Sequence, residues 1–254
     1  MDGDGDRRGL VGADAEEHGA GFSLTVFYGC DLAHVHDDGF GSFAREAAPG
    51  VLRLLARAGV RDGLVVDLGC GSGIWAEILL GAGYDVLGID ASADLLRIAR
   101  ARAPGARFVH GSLDDVRLPR CAAVTALGEV LSYGERASLV PVLTRIAAAL
   151  EPGGVLAFDV VGPGREPRPR RTWTSGDGWV VCVDVREEGR RVVRDIVTFR
   201  RDGDAWRRAD ETHMQRTFER DEVLAALAAA GLDGRARRPY GRGHLAFAAR
   251  KPVR

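Results

Sequence analysis

The stretch VVDLGCGSGIWAEILLGAGYDVLGIDAS, residues 65–92, decides how this chain folds. The apolar run Leu64 to Leu68 reads as a buried parallel strand carrying one acid, Asp67. Gly69-Cys70-Gly71-Ser72-Gly73 follows, a tight turn that leaves the backbone bare for a ligand. Ile74 to Leu80 has helical spacing and stops at Gly81-Ala82-Gly83. A second apolar strand, Val86 to Ile89, finishes at Asp90. Strand, glycine turn, helix and acid-tipped strand form a nucleotide-binding βαβ unit, the acid being suited to ribose hydroxyls. Gly69 and Asp90 are 21 positions apart, close to the spacing of about 20 that such units use.

A dinucleotide fingerprint, G-x-G-x-x-G, would place its third glycine at position 74, which is Ile74. The pattern here is instead D-x-G-x-G-x-G, with Asp67 two residues before the first glycine. An acid there repels a pyrophosphate and suits a cationic ligand end such as an amino group. These residues resemble the class I S-adenosylmethionine-dependent methyltransferases of small molecules. The resemblance implies a Rossmann-like α/β fold with a mostly parallel seven-stranded sheet, helices on both faces and the last strand antiparallel. It implies S-adenosyl-L-methionine as cofactor, with Asp67, Gly69 and Gly71 at its methionine part and Asp90 and Ala91 at its ribose.

With 254 residues the chain fits one such domain with an elaboration, and a net charge of −1 gives no electrostatic case for nucleic acid or a membrane surface. No apolar run is long enough to span a bilayer. The start MDGDGDRRG lacks an apolar signal region, so the cytoplasm is the expected compartment. Cys30, Cys70, Cys121 and Cys182 have no metal-binding spacing, and no metal is expected. Arginine replaces lysine almost throughout, Lys251 being the sole lysine.

Residues 1 to 20 are rich in Gly and Asp and are expected to be loosely held. Residues 21 to 59 form an expected lid: a short helix from Phe43 to Ala48, then a second, Gly50 to Ala58, started by Pro49. By the resemblance this lid covers the cofactor and the acceptor entrance, and it carries Tyr28, Asp31, His34 and His36. Tyr28 is either a cofactor contact or an aromatic that holds the lid down. His34 and His36 read as surface histidines, with one strand face or a loose metal pair as the alternative.

The core is expected over residues 60 to 164. Asp94 to Ala103 reads as a helix with Ser92 as N-cap, and a third strand runs to Gly111-Ser112-Leu113. In the family an acid at this last place meets the adenine, and the next residue offers a backbone contact. Ser112 departs from that pattern, so either its contact is weaker or Asp114 reaches in instead, while the backbone role of Leu113 survives. Cys121 to Leu127 is the fourth strand, which puts Gly128 and Glu129 at the switch point where open α/β sheets bind ligands. Gly128 permits close approach of the cofactor, and Glu129 faces either adenosine or an acceptor amine. Tyr133 lines the acceptor cavity or caps the core. Arg136 to Leu150 reads as a helix and Val155 to Val161 as the fifth strand.

Arg165 to Arg171 reads as a linker, and Trp179 to Phe218 alternates as three or four antiparallel strands, a β insertion over residues 165 to 218. Its arginines are expected on a solvated face, and His213 lies where the insertion meets the cavity. A helix from Asp221 to Ala230 and strands Arg235–Tyr240 and Leu245–Arg250 complete the chain over residues 219 to 254.

The implied reaction is attack by an acceptor nitrogen or oxygen on the sulfonium methyl, where alignment is the main contribution and a base helps only a protonated nucleophile. Glu129, His213, Tyr133 and His34 are the candidate catalytic groups. No Asn/Asp-Pro-Pro-aromatic run follows the fourth strand, so a small molecule rather than a nucleic acid is the expected partner. A nucleotide-dependent oxidoreductase is the competing enzyme reading, opposed by Ile74. A methyltransferase-like binding module is the competing non-enzyme reading, opposed by the joint presence of Asp67, the glycines and Asp90.

Overall fold

The computed structural model describes residues 27–134, 136–164, 170–238 and 244–253. Helices α1 (Cys30–Gly39) and α2 (Ser42–Arg57) lead into β1 (Leu64–Leu68), α3 (Ile74–Gly81), β2 (Asp85–Asp90), α4 (Ala93–Arg102) and β3 (Arg107–His110). Then come β4 (Cys121–Ala126), α5 (Val140–Ala149), β5 (Leu150–Val161) and the strands β6 (Arg170–Gly176), β7 (Trp179–Glu188), β8 (Arg191–Asp202) and β9 (Ala205–Arg216). Helix α6 (Arg220–Ala229), β10 (Asp233–Arg237) and β11 (His244–Arg250) follow.

Seven strands form one sheet in the order β10-β11-β5-β4-β1-β2-β3. Strand β11 runs antiparallel to both neighbours, and the other pairings are parallel. The chain order reverses between β1 and β4, so the C-terminal tips of these strands flank the crevice where such sheets bind ligands. The period-two pattern of the strands makes two cores. Val65, Val86, Ala123 and Ala157 face α2 and α3, whereas Val66, Leu68, Ile89, Val124 and Phe158 face α5 and α6.

A second, antiparallel sheet has the order β6-β7-β8-β9. It docks through Trp179, Val181 and Ile196 on Leu32 and Val35 of α1. The insertion therefore sits on the lid helix, at the crevice end of the main sheet.

Several expectations need correction. Helix α2 runs through Pro49 instead of breaking there. Pro49 is exposed, and the buried stripe Ala47, Ala48, Val51 and Leu55 continues across it, so packing outweighs the local helix penalty. Helix α1, holding Asp31, His34 and His36, is not foreseen in the sequence and excludes a strand pairing for the histidines. Helix α5 begins at Val140, with Pro141 in its first turn, rather than at Arg136. Arg170 and Arg171 belong to β6, not to a linker; residues 165–169 lie outside the described residues. Every residue of β6 is exposed, so no apolar alternation marks this edge strand. The tenth strand spans Asp233–Arg237, with Tyr240 outside the described residues, as are residues 1–20.

Candidate active site

The half of the crevice where the resemblance places a cofactor is built largely from contiguous sequence. Asp67, 2% exposed in β1, accepts a hydrogen bond from Thr125 Oγ1 at 2.7 Å, and Thr125 in turn accepts from Trp75 Nε1 at 3.1 Å. Burial pushes the Asp67 carboxyl up to about 7; the Thr125 hydroxyl opposes this and the charge of Asp90 adds to it. Gly69 has φ 64°, and a Cβ there would lie 2.4 Å from Val130 Cγ2, so the β1 turn and the β4 tip touch through this glycine. Gly71, at φ 54°, would meet only the His36 ring, at 3.9 Å, so the space beside its Cα is open.

Asp90 accepts the backbone N–H groups of Gly71 and Ser92, each at 2.8 Å, and burial raises its pKa despite these bonds. Ser92 caps α4 by accepting from Leu95 N at 3.1 Å, and Ala91 O accepts from or faces His110 Nε2 at 3.0 Å. Neither Asp67 nor Asp90 has an arginine or lysine partner among the described residues. A buried and a half-buried carboxylate, with no arginine or lysine partner among the described residues and beside glycines that leave room for a ligand, fit a cofactor that carries an ammonium and a sulfonium charge.

The loop after β3 is less committed to a ligand. Ser112 Oγ accepts from Asp114 N at 3.1 Å, and Leu113 O accepts from Arg145 Nη1 at 2.9 Å. The Asp114 carboxylate is held by Arg136 at 2.6 Å, so it does not take the place of the acid missing at Ser112.

The other half is assembled from distant elements. Gly128 (φ 90°) and Glu129 (φ 65°) both follow β4 in left-handed conformation, which for glutamate is a strained state that the surroundings must hold. Their N–H groups donate to the two oxygens of Asp159, at 2.8 and 3.0 Å, and His244 Nδ1 lies 2.7 Å from the second oxygen. The Glu129 carboxylate, 5% exposed as a residue, receives Gln215 Nε2 at 3.1 Å and has Arg194 Nη2 at 3.5 Å and His244 Nδ1 at 3.4 Å. Glu129 thus faces the inserted sheet. Arg194, Arg200 and Arg216 depart from the expected solvated arginines, each with a largely covered side chain beside an acid, whereas Arg171 and Arg208 form exposed pairs with Asp184 and Asp210.

Tyr28 bridges the two halves. Its backbone is left-handed at φ 49°, its carbonyl accepts from Ser92 Oγ at 2.7 Å, and its hydroxyl lies 3.2 Å from that of Tyr133. Glu211 on β9 accepts the N–H groups of Tyr28 and Gly29 at 2.8 and 3.0 Å. His213, 1% exposed, lies 2.9 Å from Glu211 through Nε2 and packs against the rings of Phe27, Tyr28 and Tyr133. Burial raises the pKa of both tyrosines, keeping their hydroxyls protonated.

The structure therefore brings together Tyr28, Asp67, Gly69, Gly71, Asp90, Ala91, Gly128, Glu129, Tyr133 and His213. His34 is not among them. It lies two residues from His36 on α1, roughly 200° around the helix, and it is His36 whose ring meets Tyr28 at 5.0 Å. Nor is His36 a surface histidine: burial lowers its pKa to about 4. Sequence reasoning missed Thr125, Asp159, Arg194, Glu211, Gln215 and His244. Asp159 leaves one signal, a lone acid in the apolar run Phe158 to Val161. A cavity of about 490 Å³ lined by Arg117, Arg120, Arg145 and Lys251 lies at the opposite ends of the strands, away from all these groups.

Comparison with known proteins accords with this geometry. A family model described as a methyltransferase domain matches residues 65–154. The dTDP-3-amino-3,4,6-trideoxy-alpha-D-glucopyranose N,N-dimethyltransferase of Streptomyces venezuelae is 32% identical over 184 residues, 66% of this chain and 74% of the relative. The dTDP-3-amino-3,6-dideoxy-alpha-D-glucopyranose N,N-dimethyltransferase of Streptomyces fradiae is 29% identical over 225 residues, 81% of this chain and 85% of the relative. Among solved structures, Streptomyces venezuelae DesVI superposes with a TM-score of 0.73 at 26% identity, covering 86% of this chain and 98% of that one. A crevice that fits a cofactor bearing an ammonium and a sulfonium charge and these likenesses lead to one conclusion: the chain belongs to the class I S-adenosylmethionine-dependent methyltransferases and methylates a small-molecule acceptor.

Proposed function

We propose that the acceptor is the amine of a nucleotide-linked deoxysugar and that methylation occurs on nitrogen. The observation that carries this reading is the Glu129 carboxylate, held at the switch point and turned toward the inserted sheet. A carboxylate there attracts an amino group and receives its proton as the nitrogen becomes a nucleophile. The relatives from Streptomyces venezuelae and Streptomyces fradiae support it, since their names specify aminosugar N,N-dimethylation.

In this reading Asp67, Gly69 and Gly71 hold the methionine end of the cofactor, Asp90 and Ala91 its ribose, and Leu113 and Gly128 border its adenine through backbone. Bound there, the cofactor supplies an electrophilic methyl group. Tyr28 and Tyr133, neutral and bonded to each other, wall the crevice and exclude water, while the inserted sheet and the N-terminal lid close the acceptor side. We place this reaction in the cytoplasm; no helix among the described residues is long and apolar enough to cross a membrane.

The test is mass spectrometry after incubation with S-adenosylmethionine and either dTDP-3-amino-3,4,6-trideoxy-alpha-D-glucopyranose or its 3-hydroxy counterpart. Addition of one and then two methyl groups to the amine alone is expected. Methylation of the hydroxyl compound, or of neither, overturns the acceptor assignment.

A further inference from the structure

Glu129 occupies a backbone conformation that glutamate disfavours, so the groups around it must hold the turn. The holding group is Asp159, wholly buried in β5. Its two oxygens collect three donors: the N–H of Gly128, the N–H of Glu129, and the imidazole of His244. His244 opens β11, the antiparallel neighbour of β5, and its ring stacks on Phe43 of α2 at 5.2 Å. The same Nδ1 lies 3.4 Å from Glu129 Oε1, so one imidazole nitrogen touches both acids.

We infer that Asp159 and His244 are positioning residues for methyl transfer, acting through Glu129. This rests on the reading of Glu129 as the group that meets the acceptor nitrogen. Asp159 fixes the turn that aims the Glu129 side chain, and His244 fixes Asp159 and borders the Glu129 carboxylate. A wholly buried carboxylate is costly unless its oxygens are satisfied, and here the satisfying donors are those of the catalytic turn and one histidine. Neither residue bonds to the β1 glycine turn or Asp90; Asp159 also holds Gly128, so of the two only His244 bears on the acceptor half alone.

A double-mutant cycle tests this with S-adenosylhomocysteine as the binding probe and the aminosugar nucleotide as acceptor. Asp159→Asn and His244→Phe each lower kcat/KM for the amine by roughly 10-fold to 100-fold, the scale of a misplaced reacting group. Affinity for S-adenosylhomocysteine changes by less than about threefold in His244→Phe, which bonds to no cofactor group, and falls further in Asp159→Asn, which also releases the N–H of Gly128. His244→Phe keeps a ring to stack on Phe43, whereas His244→Asn restores an N–H donor toward Asp159. His244→Asn is therefore expected to recover most of what His244→Phe loses. In a Glu129→Gln background the two substitutions add less than about threefold further loss, since the group they position is already gone.

Additive losses in that background, or equal activity of His244→Asn and His244→Phe, overturn the positioning role. Full activity of Glu129→Gln alone overturns the acceptor-side reading of Glu129, and the positioning role falls with it. If Asp159→Asn does not fold, the His244 pair decides the question by itself.

Discussion

Thr125 Oγ1 donates a 2.7 Å hydrogen bond to Asp67 across the adjacent strands β4 and β1, within the floor of the cofactor site. This bond opposes the burial that pushes the Asp67 carboxyl up to about 7. An acid with a raised folded pKa holds its proton in the folded state between its unfolded value and about 7. Its contribution therefore reduces stability as pH rises through that window and levels off above it. Asp67→Asn removes the cost, so the cofactor-free variant should exceed the parent at pH 8, by at most about 4 kcal/mol from the shift. The gap should narrow as pH falls toward 5. Urea unfolding at both pH values checks this. In the parent, affinity for S-adenosylhomocysteine should rise with pH through 7 as the carboxylate forms, and Asp67→Asn should lose both the affinity and its pH dependence.

Gly69→Ala should damage both halves of the site together. The new Cβ would press on Val130, the residue after Glu129, at a φ of 64° that alanine disfavours. The backbone costs about 1–2 kcal/mol and the overpacking about 1–3 kcal/mol. A second substitution, Val130→Ala, should recover the overpacking part alone. Denaturant midpoints of the single and double variants measure the two contributions.

Glu211 ties the inserted sheet to the lid through Tyr28 and Gly29. Glu211→Gln replaces one accepting oxygen with an amide that opposes a donor, so amide exchange at Tyr28 and Gly29 should quicken by roughly 10-fold or more, for a charged hydrogen bond worth about 1.5–3 kcal/mol. Unchanged exchange would show that Glu211 does not hold this end of the lid. His213→Ala tests the neighbouring histidine: loss of turnover supports an acceptor-side role, and full turnover leaves it structural.

His36 should give the protein an acid-sensitive lid. Its pKa, lowered to about 4 by burial, means that the unfolded chain binds the proton first. Stability from this group is whole above the unfolded value near 6.5 and is lost as pH falls toward 4. His36→Gln should flatten the decline of Tm between pH 6.5 and 4.5, whereas a decline equal to the parent's would assign the acid sensitivity elsewhere.

The cofactor half was legible because Asp67, the glycines and Asp90 lie in one βαβ unit, where local patterns are enough. Glu129 was legible as a strand tip beside the switch point. Its partners were not, since Asp159, Arg194, Gln215 and His244 come from four strands and meet only through sheet pairing. Arg194 illustrates the difficulty: among the many arginines of the insertion, only packing separates those that are covered, such as Arg194, from exposed ones such as Arg171. The break expected at Pro49 failed for a related reason. Local backbone preference argued for two helices, and a buried stripe spanning the proline made one. His36 does not fit the surface reading because nothing local marks α1, whose apolar face is defined by a sheet about 150 residues further on.

The most direct test of an amine acceptor is carbon NMR of the reaction with S-adenosylmethionine labelled with ¹³C in its transferable methyl group. We predict that the label appears as an N-methyl resonance of the aminosugar and that Glu129→Gln sharply reduces its rate of appearance. An O-methyl resonance, or label that stays on the cofactor while S-adenosylhomocysteine still binds the protein, would contradict the account.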